Sequence, residues 1–146
     1  MHTNSSASPV PVAAADGDTV VHQWAQTTAS VPRARQALRG ILREWQLGDL
    51  ADDCALVLCE LLANAVEHAR NPGPDRTVQT RLSRLSGGGG VRIEVHDGDA
   101  GRLPRVRAAG SGEDGRGLRL VEACTRHRWG VEVGAGGKAV WGEVAR

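Results

Sequence analysis

The chain has 146 residues, a formal net charge of +1 and 24% charged residues. That length suits one domain with a real core, and that charge nominates neither nucleic acid nor a membrane surface as a partner. Four Trp and no Tyr or Phe leave no interleaved aromatic and basic surface on which unpaired bases could stack. No run of about 18 apolar residues occurs, so the expectation is a soluble, cytoplasmic protein. Cys54, Cys59 and Cys124 are odd in number, form no C-x-x-C and fall in apolar helical runs. They read as small core residues of a reduced protein and not as a disulfide framework.

Residues 1–18 are Ser, Ala, Pro, Gly and Asp without periodicity and read as a disordered arm, with no basic start and apolar core to make a signal peptide. One domain is expected over 19–146. Val20–Thr27 mixes β-branched and polar residues as an edge strand does, and Ser30 is placed to cap a helix with Pro32 in its first turn. Ala34, Leu38, Ile41, Leu42 and Trp45 form that helix's apolar face, and Gly48 is its expected stop. Asp49 is placed to cap the next helix, which is expected to run to Arg70 and break at N-P-G-P, Asn71–Pro74. Thr77–Leu85 and Val91–His96 alternate as strands, joined by the glycine run Gly87–Gly90. Residues 97–114 lack periodicity, are rich in glycine and hold Pro104, as lid loops commonly do. Gly117–His127 reads as a helix with Leu118, Leu120, Val121 and Cys124 inward. Trp129–Val133 and Ala139–Val144 close the sheet around the turn Gly134–Lys138. The order β-α-α-β-β-loop-α-β-β predicts one sheet covered by helices on one face.

Within C-A-L-V-L-C-E-L-L-A-N-A-V-E-H-A-R, Cys54–Arg70, apolar residues run almost all the way round, so the helix is buried on most sides. Glu60, Asn64 and His68 interrupt it. Each fourth residue on a helix is offset by only about 40°, so the three form one polar stripe. Such a stripe meets a partner, a metal, a ligand or loop backbone, because an unpaired carboxylate among Leu and Val is costly.

Three further segments carry chemistry. D-G-D-A-G, Asp97–Gly101, ends an apolar strand; it fails as a calcium loop because Arg102 and Ala108 stand at its sixth and twelfth places. His96, Asp97 and Asp99 make a poor metal set, since alternate strand residues face opposite ways. G-E-D-G-R-G-L, Gly112–Leu118, opens the last helix with glycine and offers free N–H groups and the positive dipole end to a phosphate. It is neither a complete G-x-G-x-x-G after a strand nor a P-loop. G-K-A-V-W, Gly137–Trp141, holds the chain's one lysine, Lys138, read as a solvated turn residue with phosphate contact as the alternative.

In that order, an E-x-x-x-N helix, a strand ending in Asp with glycines after it, a lid and G-x-G-L opening a helix resemble the GHKL (Bergerat-fold) ATPase superfamily. The match runs from about Val20 to the C-terminus. E-L-L-A-N-A-V-E-H-A, G-R-G-L-R-L-V and R-W-G-V…G-K-A-V-W-G-E-V are most similar to compact stand-alone members related to bacterial anti-sigma-factor serine kinases. The resemblance implies an α/β two-layer sandwich with a mixed sheet, an ATP lid, and ATP with Mg²⁺ as cofactors. It makes Asn64 the Mg²⁺ ligand, Asp97 the adenine reader and Glu60 the general base or orienter of the attacking hydroxyl. Gly115, Arg116, Gly117 and Leu118 would take the phosphates, Gly101 would shape the pocket, and Arg102, Arg105 and Arg107 would add charge on the lid. A sigma factor or an anti-anti-sigma-type protein is the implied partner, with self-association into a homodimer open. Two residues depart from the pattern: Asp99 replaces a glycine, and Ala139 stands where a threonine hydroxyl commonly helps hold Asp97.

Overall fold

The computed structural model of the protein describes residues 10–11, 18–67, 73–98, 113–134 and 136–146, with backbone alone for 10, 11, 74 and 113–116. The elements are β1 (Val10–Pro11), β2 (Thr19–Gln26), α1 (Ser30–Glu44), a 3₁₀ turn (Gly48–Leu50), α2 (Ala51–Glu67), β3 (Gly73–Arg84), β4 (Gly90–Asp97), α3 (Glu113–Thr125), β5 (Trp129–Gly134) and β6 (Gly137–Ala145). This is the expected order of elements, with β1 added from within the expected disordered arm; the rest of that arm below Asp18 lies outside the described residues. One six-stranded sheet runs β1-β2-β3-β4-β6-β5.

Every described pairing is antiparallel, so the sheet is not mixed. The reason is the placing of β6. β4 and β5 run in the same direction, but β6 lies between them and pairs antiparallel with both. The α/β two-layer arrangement stands. Strand alternation sends Trp24, Val78, Leu82, Val91, Ile93, Val95, Val140 and Val144 into one core with the helices. Arg92, Glu94, His96 and Glu143 alternate onto the other face, where Arg92 pairs with Glu94 and Glu143, each at 3.0 Å, and lies 4.2 Å over the Trp141 ring. Gly130 permits that ring to lie flat on β5, since a Cβ there would meet its atoms at 3.0–3.1 Å.

The helix ends depart from glycine-based expectation. Ala29 is the N-cap of α1 and makes no side-chain cap bond; Ser30 instead donates its hydroxyl to Ala25 O at 2.6 Å. α1 stops not at Gly48 but at Gln46, φ 60°. Leu47 N–H reaches Leu42 O at 2.8 Å and Gln46 N–H reaches Arg43 O at 3.1 Å, a Schellman closure in which burial of Leu42 and Leu47 outweighs the left-handed cost of roughly 1–2 kcal/mol. α3 closes similarly through Arg126, φ 53°, with His127 N–H on Glu122 O at 2.9 Å. Gly48 opens the 3₁₀ turn, and Asp49 within it binds Arg146 at 2.8 Å.

Leu120 is 42% exposed and not inward, because α3 buries Leu118, Val121 and Thr125 instead. α2 carries nine buried residues on a 17-residue helix, which is why so little of its surface is left for polar groups. Cys54 is fully buried, which pushes its thiol up to about 12, and all three cysteines are free. Among the described residues no helix is long and apolar enough to cross a membrane.

Candidate functional site

Glu60 and Asn64 are half-buried on α2, between the buried Leu61, Leu62 and Ala65. The third member of the stripe, His68, lies outside the described residues. What the stripe faces is α3: a Cβ on Gly117 would overlap a Glu60 carboxylate oxygen and stand 2.9 Å from its carbon. A side chain at 117 would push the Glu60 carboxylate aside, so glycine there leaves the carboxylate its place against α3. Thus two residues 57 positions apart, chosen on sequence as base and phosphate cradle, are in contact.

The start of α3 reassigns the backbone donors. A helix beginning at Glu113 leaves the N–H groups ahead of its first ladder bond open, and these include Gly115. Arg116, Gly117 and Leu118 lie beyond those positions, so their N–H groups belong to the helix ladder and not to a phosphate. Leu118, 1% exposed, is a core anchor.

Asp97 is the last residue of β4, and its register partner on β6 is Lys138. Lys138 Nζ is 3.3 Å from Asp97 Oδ1 and 3.3 Å from Oδ2, with side chains 6% and 2% exposed. The lysine read as a solvated turn residue is therefore a buried strand residue in an ion pair. Ala139, opposite His96, turns to the other face, and Lys138, one residue before it, meets Asp97. Gly137, φ 141°, precedes the pair; a Cβ there would overlap Asp97 O, so only glycine lets the β5–β6 turn close on β4.

Asp97 and Lys138 border a cavity of about 550 Å³, lined also by Thr77, Gln79, His96 and Glu132. That is within the size range of small-molecule sites. His96 Nε2 lies 2.7 Å from Glu94 Oε1, and this bond, with that from Arg92, holds the Glu94 carboxyl below the usual range.

Glu60, Asn64 and Gly117 do not border the cavity: Gln79, His96, Ala139 and Glu132, which line it, form one row across the sheet on the face away from the helices. Gln26 Nε2 donates to Ala65 O at 2.8 Å, which ties the end of β2 to α2 one residue from Asn64. In the sheet, Trp24 pairs with Val78 and Gln79 with His96, so this tie lies at the row of strand ends where Asp97 sits. Gly101, Asp99, Arg102, Arg105 and Arg107 lie outside the described residues. Among the described residues no group of three or more His, Cys, Asp or Glu is placed to hold a metal ion. A single amide oxygen at Asn64 suits Mg²⁺, which takes one or two protein ligands beside phosphates and water.

The family model of the histidine kinase-like ATPase domain matches residues 24–141. The chain belongs to the histidine kinase-like ATPase family. Its matched span holds both α2 and the Asp97–Lys138 pair. Among solved structures, the histidine kinase domain of the Erythrobacter litoralis EL346 blue-light activated histidine kinase is similar with a TM-score of 0.51 and 23% identity. The alignment covers 81% of this chain and 60% of that one, so this chain spans less than two thirds of that protein, and the likeness is one of fold. A comparison with curated proteins finds no match.

Sequence reasoning missed Lys138. A signal was present: it is the chain's one lysine among many arginines, and it follows Gly137 at the start of the last strand.

Proposed function

We propose that this protein binds ATP with Mg²⁺ and acts as an anti-sigma-factor-type protein-serine/threonine kinase on an anti-anti-sigma-type partner. The observation that carries the reading is the contact of the Glu60 carboxylate with Gly117, which sets a base beside a helix start whose dipole and open N–H groups favour phosphate. Asn64 would hold the metal, which neutralises phosphate charge when bound. Asp97 would accept from the adenine amine, and the open N–H group of Gly115 would donate to a phosphate oxygen. Glu60 would orient the partner's serine hydroxyl and accept its proton.

A second reading, an ATP-loaded clamp that sequesters a sigma factor or another protein without turnover, is favoured by one observation. The Glu60 carboxylate is packed against α3 and does not border the cavity, as a residue holding the two helices together would be. Glu60→Gln separates the two. It keeps size and removes the base, so transfer from ATP to a partner serine in single turnover should fall by roughly 10²–10⁴ with ATP affinity little changed. Unchanged transfer removes Glu60 as base. Absence of transfer in both proteins, with ATP-dependent partner capture intact, favours the clamp.

A further inference from the structure

The sheet ends in β1 on one side and β5 on the other. β1 is two residues long and contains Pro11, two common ways of blunting a sheet edge. β5 has six residues, W-G-V-E-V-G, with neither proline nor lysine, and pairs with β6 without a bulge. Among the described residues no strand pairs with its outer side. Burial falls along it from the half-buried Trp129 to Val133, which is 58% exposed. A strand edge of this kind is a template for another strand. Its bonds to β6 fix which groups it offers. Glu143 N–H donates to Arg128 O at 3.0 Å, and bonded positions alternate along an antiparallel pair. Gly130, Glu132 and Gly134 therefore turn their backbone groups to β6, while Trp129, Val131 and Val133 turn theirs outward.

We propose that β5 pairs with β5 of a second copy of this chain, antiparallel about a twofold axis at Val131. In that register Val131 bonds the partner's Val131 and Trp129 bonds the partner's Val133, all through outward groups. Trp129 and Val133 share one face of the sheet, so each Trp129 covers the partner's exposed Val133, and an aromatic against a β-branched residue is a favourable cross-strand pair. Gly130 comes opposite the partner's Glu132, which keeps the two carboxylates from facing each other. A slip of one residue would set outward groups against groups already bonded to β6, and one step further toward the C-terminus would set Glu132 against the partner's Glu132. Backbone phase and side chains thus select the same register. α3 packs on β5 and β6. Its Gly117 and Cys124 flank meets Glu60 and Asp53 of α2, so helical spacing puts Arg119, Glu122 and Arg126 on the flank toward the β5 edge. Those mixed charges complement the same flank of a twofold partner. One strand edge and one helix flank fall short of the roughly 20–30 residues a side of a standard interface, so the association should be weak and concentration-dependent.

Sedimentation velocity of the unmutated protein from about 10 μM to about 1 mM should pass from monomer to dimer. Val133→Pro removes an outward N–H at an exposed position, where an edge strand tolerates proline. It deletes two bonds across the axis, so the dimer should weaken at least about tenfold while circular dichroism stays that of the parent. Val131→Cys reads the register. At a bonded pair on the axis the two Cα atoms stand about 5.5 Å apart, inside the roughly 4.4–6.8 Å that a disulfide spans. Copper–phenanthroline should therefore give more covalent dimer with Val131→Cys than with Glu132→Cys or the parent. A protein that is monomeric at about 1 mM overturns the proposal, whether or not the edge takes a peptide of another protein. A dimer that Val133→Pro leaves unchanged overturns it too, because the interface then lies elsewhere. Should Val133→Pro unfold, the cross-linking decides: no excess with Val131→Cys overturns the pairing.

Discussion

The Asp97–Lys138 pair should be the most sensitive polar contact in the fold. Both residues are 8% exposed, so solvent screens them little, and they join the neighbouring strands β4 and β6 at their ends. Lys138→Met keeps the length of the stem and removes the ammonium. Breaking a buried pair by removing one partner costs about 3–5 kcal/mol, because a carboxylate is left uncompensated away from water. Replacing both partners by neutral groups of similar volume is often neutral or better. Hence Lys138→Met should lower the free energy of unfolding by about 3–5 kcal/mol, a large share of the roughly 5–15 kcal/mol that a domain has. Adding Asp97→Asn to the same chain should restore most of it. Urea unfolding followed by Trp fluorescence measures both, provided the slope with denaturant is unchanged. A loss below about 1 kcal/mol in the single variant would put the pair among solvent-screened surface bridges. No recovery in the double variant would mean that the lost packing of the Lys138 stem, and not the stranded charge, sets the cost.

Gly117→Ala should leave stability within about 1 kcal/mol of the parent, since the gain in helix propensity offsets displacement of a side chain. It should nonetheless move Glu60; an unchanged rate of phosphate transfer, in a protein that transfers, would show that the contact does not position the carboxylate. Asn64→Ala should abolish the Mg²⁺-dependent part of ATP stabilisation of the fold, measured as the melting-temperature difference with and without metal; equal differences would remove Asn64 as ligand. Burial holds the His22 imidazole below its ordinary value, so the unfolded chain binds its proton more readily than the folded one. Stability should therefore fall as pH drops through about 6.5, and His22→Gln should reduce that fall in a melting series from pH 7.5 to 5.5.

What was legible in the sequence follows the range of the interaction involved. Element type and order came from periodicity, which is local: the apolar alternation Val91, Ile93, Val95 and the spacing Ala34, Leu38, Leu42 place β4 and α1 within a residue or two. Helix ends were less legible because the expected stop was a glycine. In the structure, burial of Leu47 and Leu42 closes α1 through Gln46, and this depends on a core that no local window contains. The Glu60–Gly117 contact was visible only as two motifs. Their meeting depends on how α2 and α3 pack, which spacing along either helix does not give.

Lys138 shows where local reading must stop. Alternation assigns the residues of β6 to two faces, and either face could have met β4's last residue. Register decides, and a slip of one residue exchanges the two sets completely. With Lys138 opposite Asp97 and Ala139 opposite His96, the carboxylate gains an ammonium; one step over, it would face a methyl group and be stranded in the same buried place. The sheet has a means of holding that register: Val140 and Val144 lie in the core beside Val95 and Val91, and a slip would turn them outward and bring Trp141 and Glu143 in. The hydrophobic pattern of β6 thus sets, at a distance of several residues, the chemical identity of the group that meets Asp97.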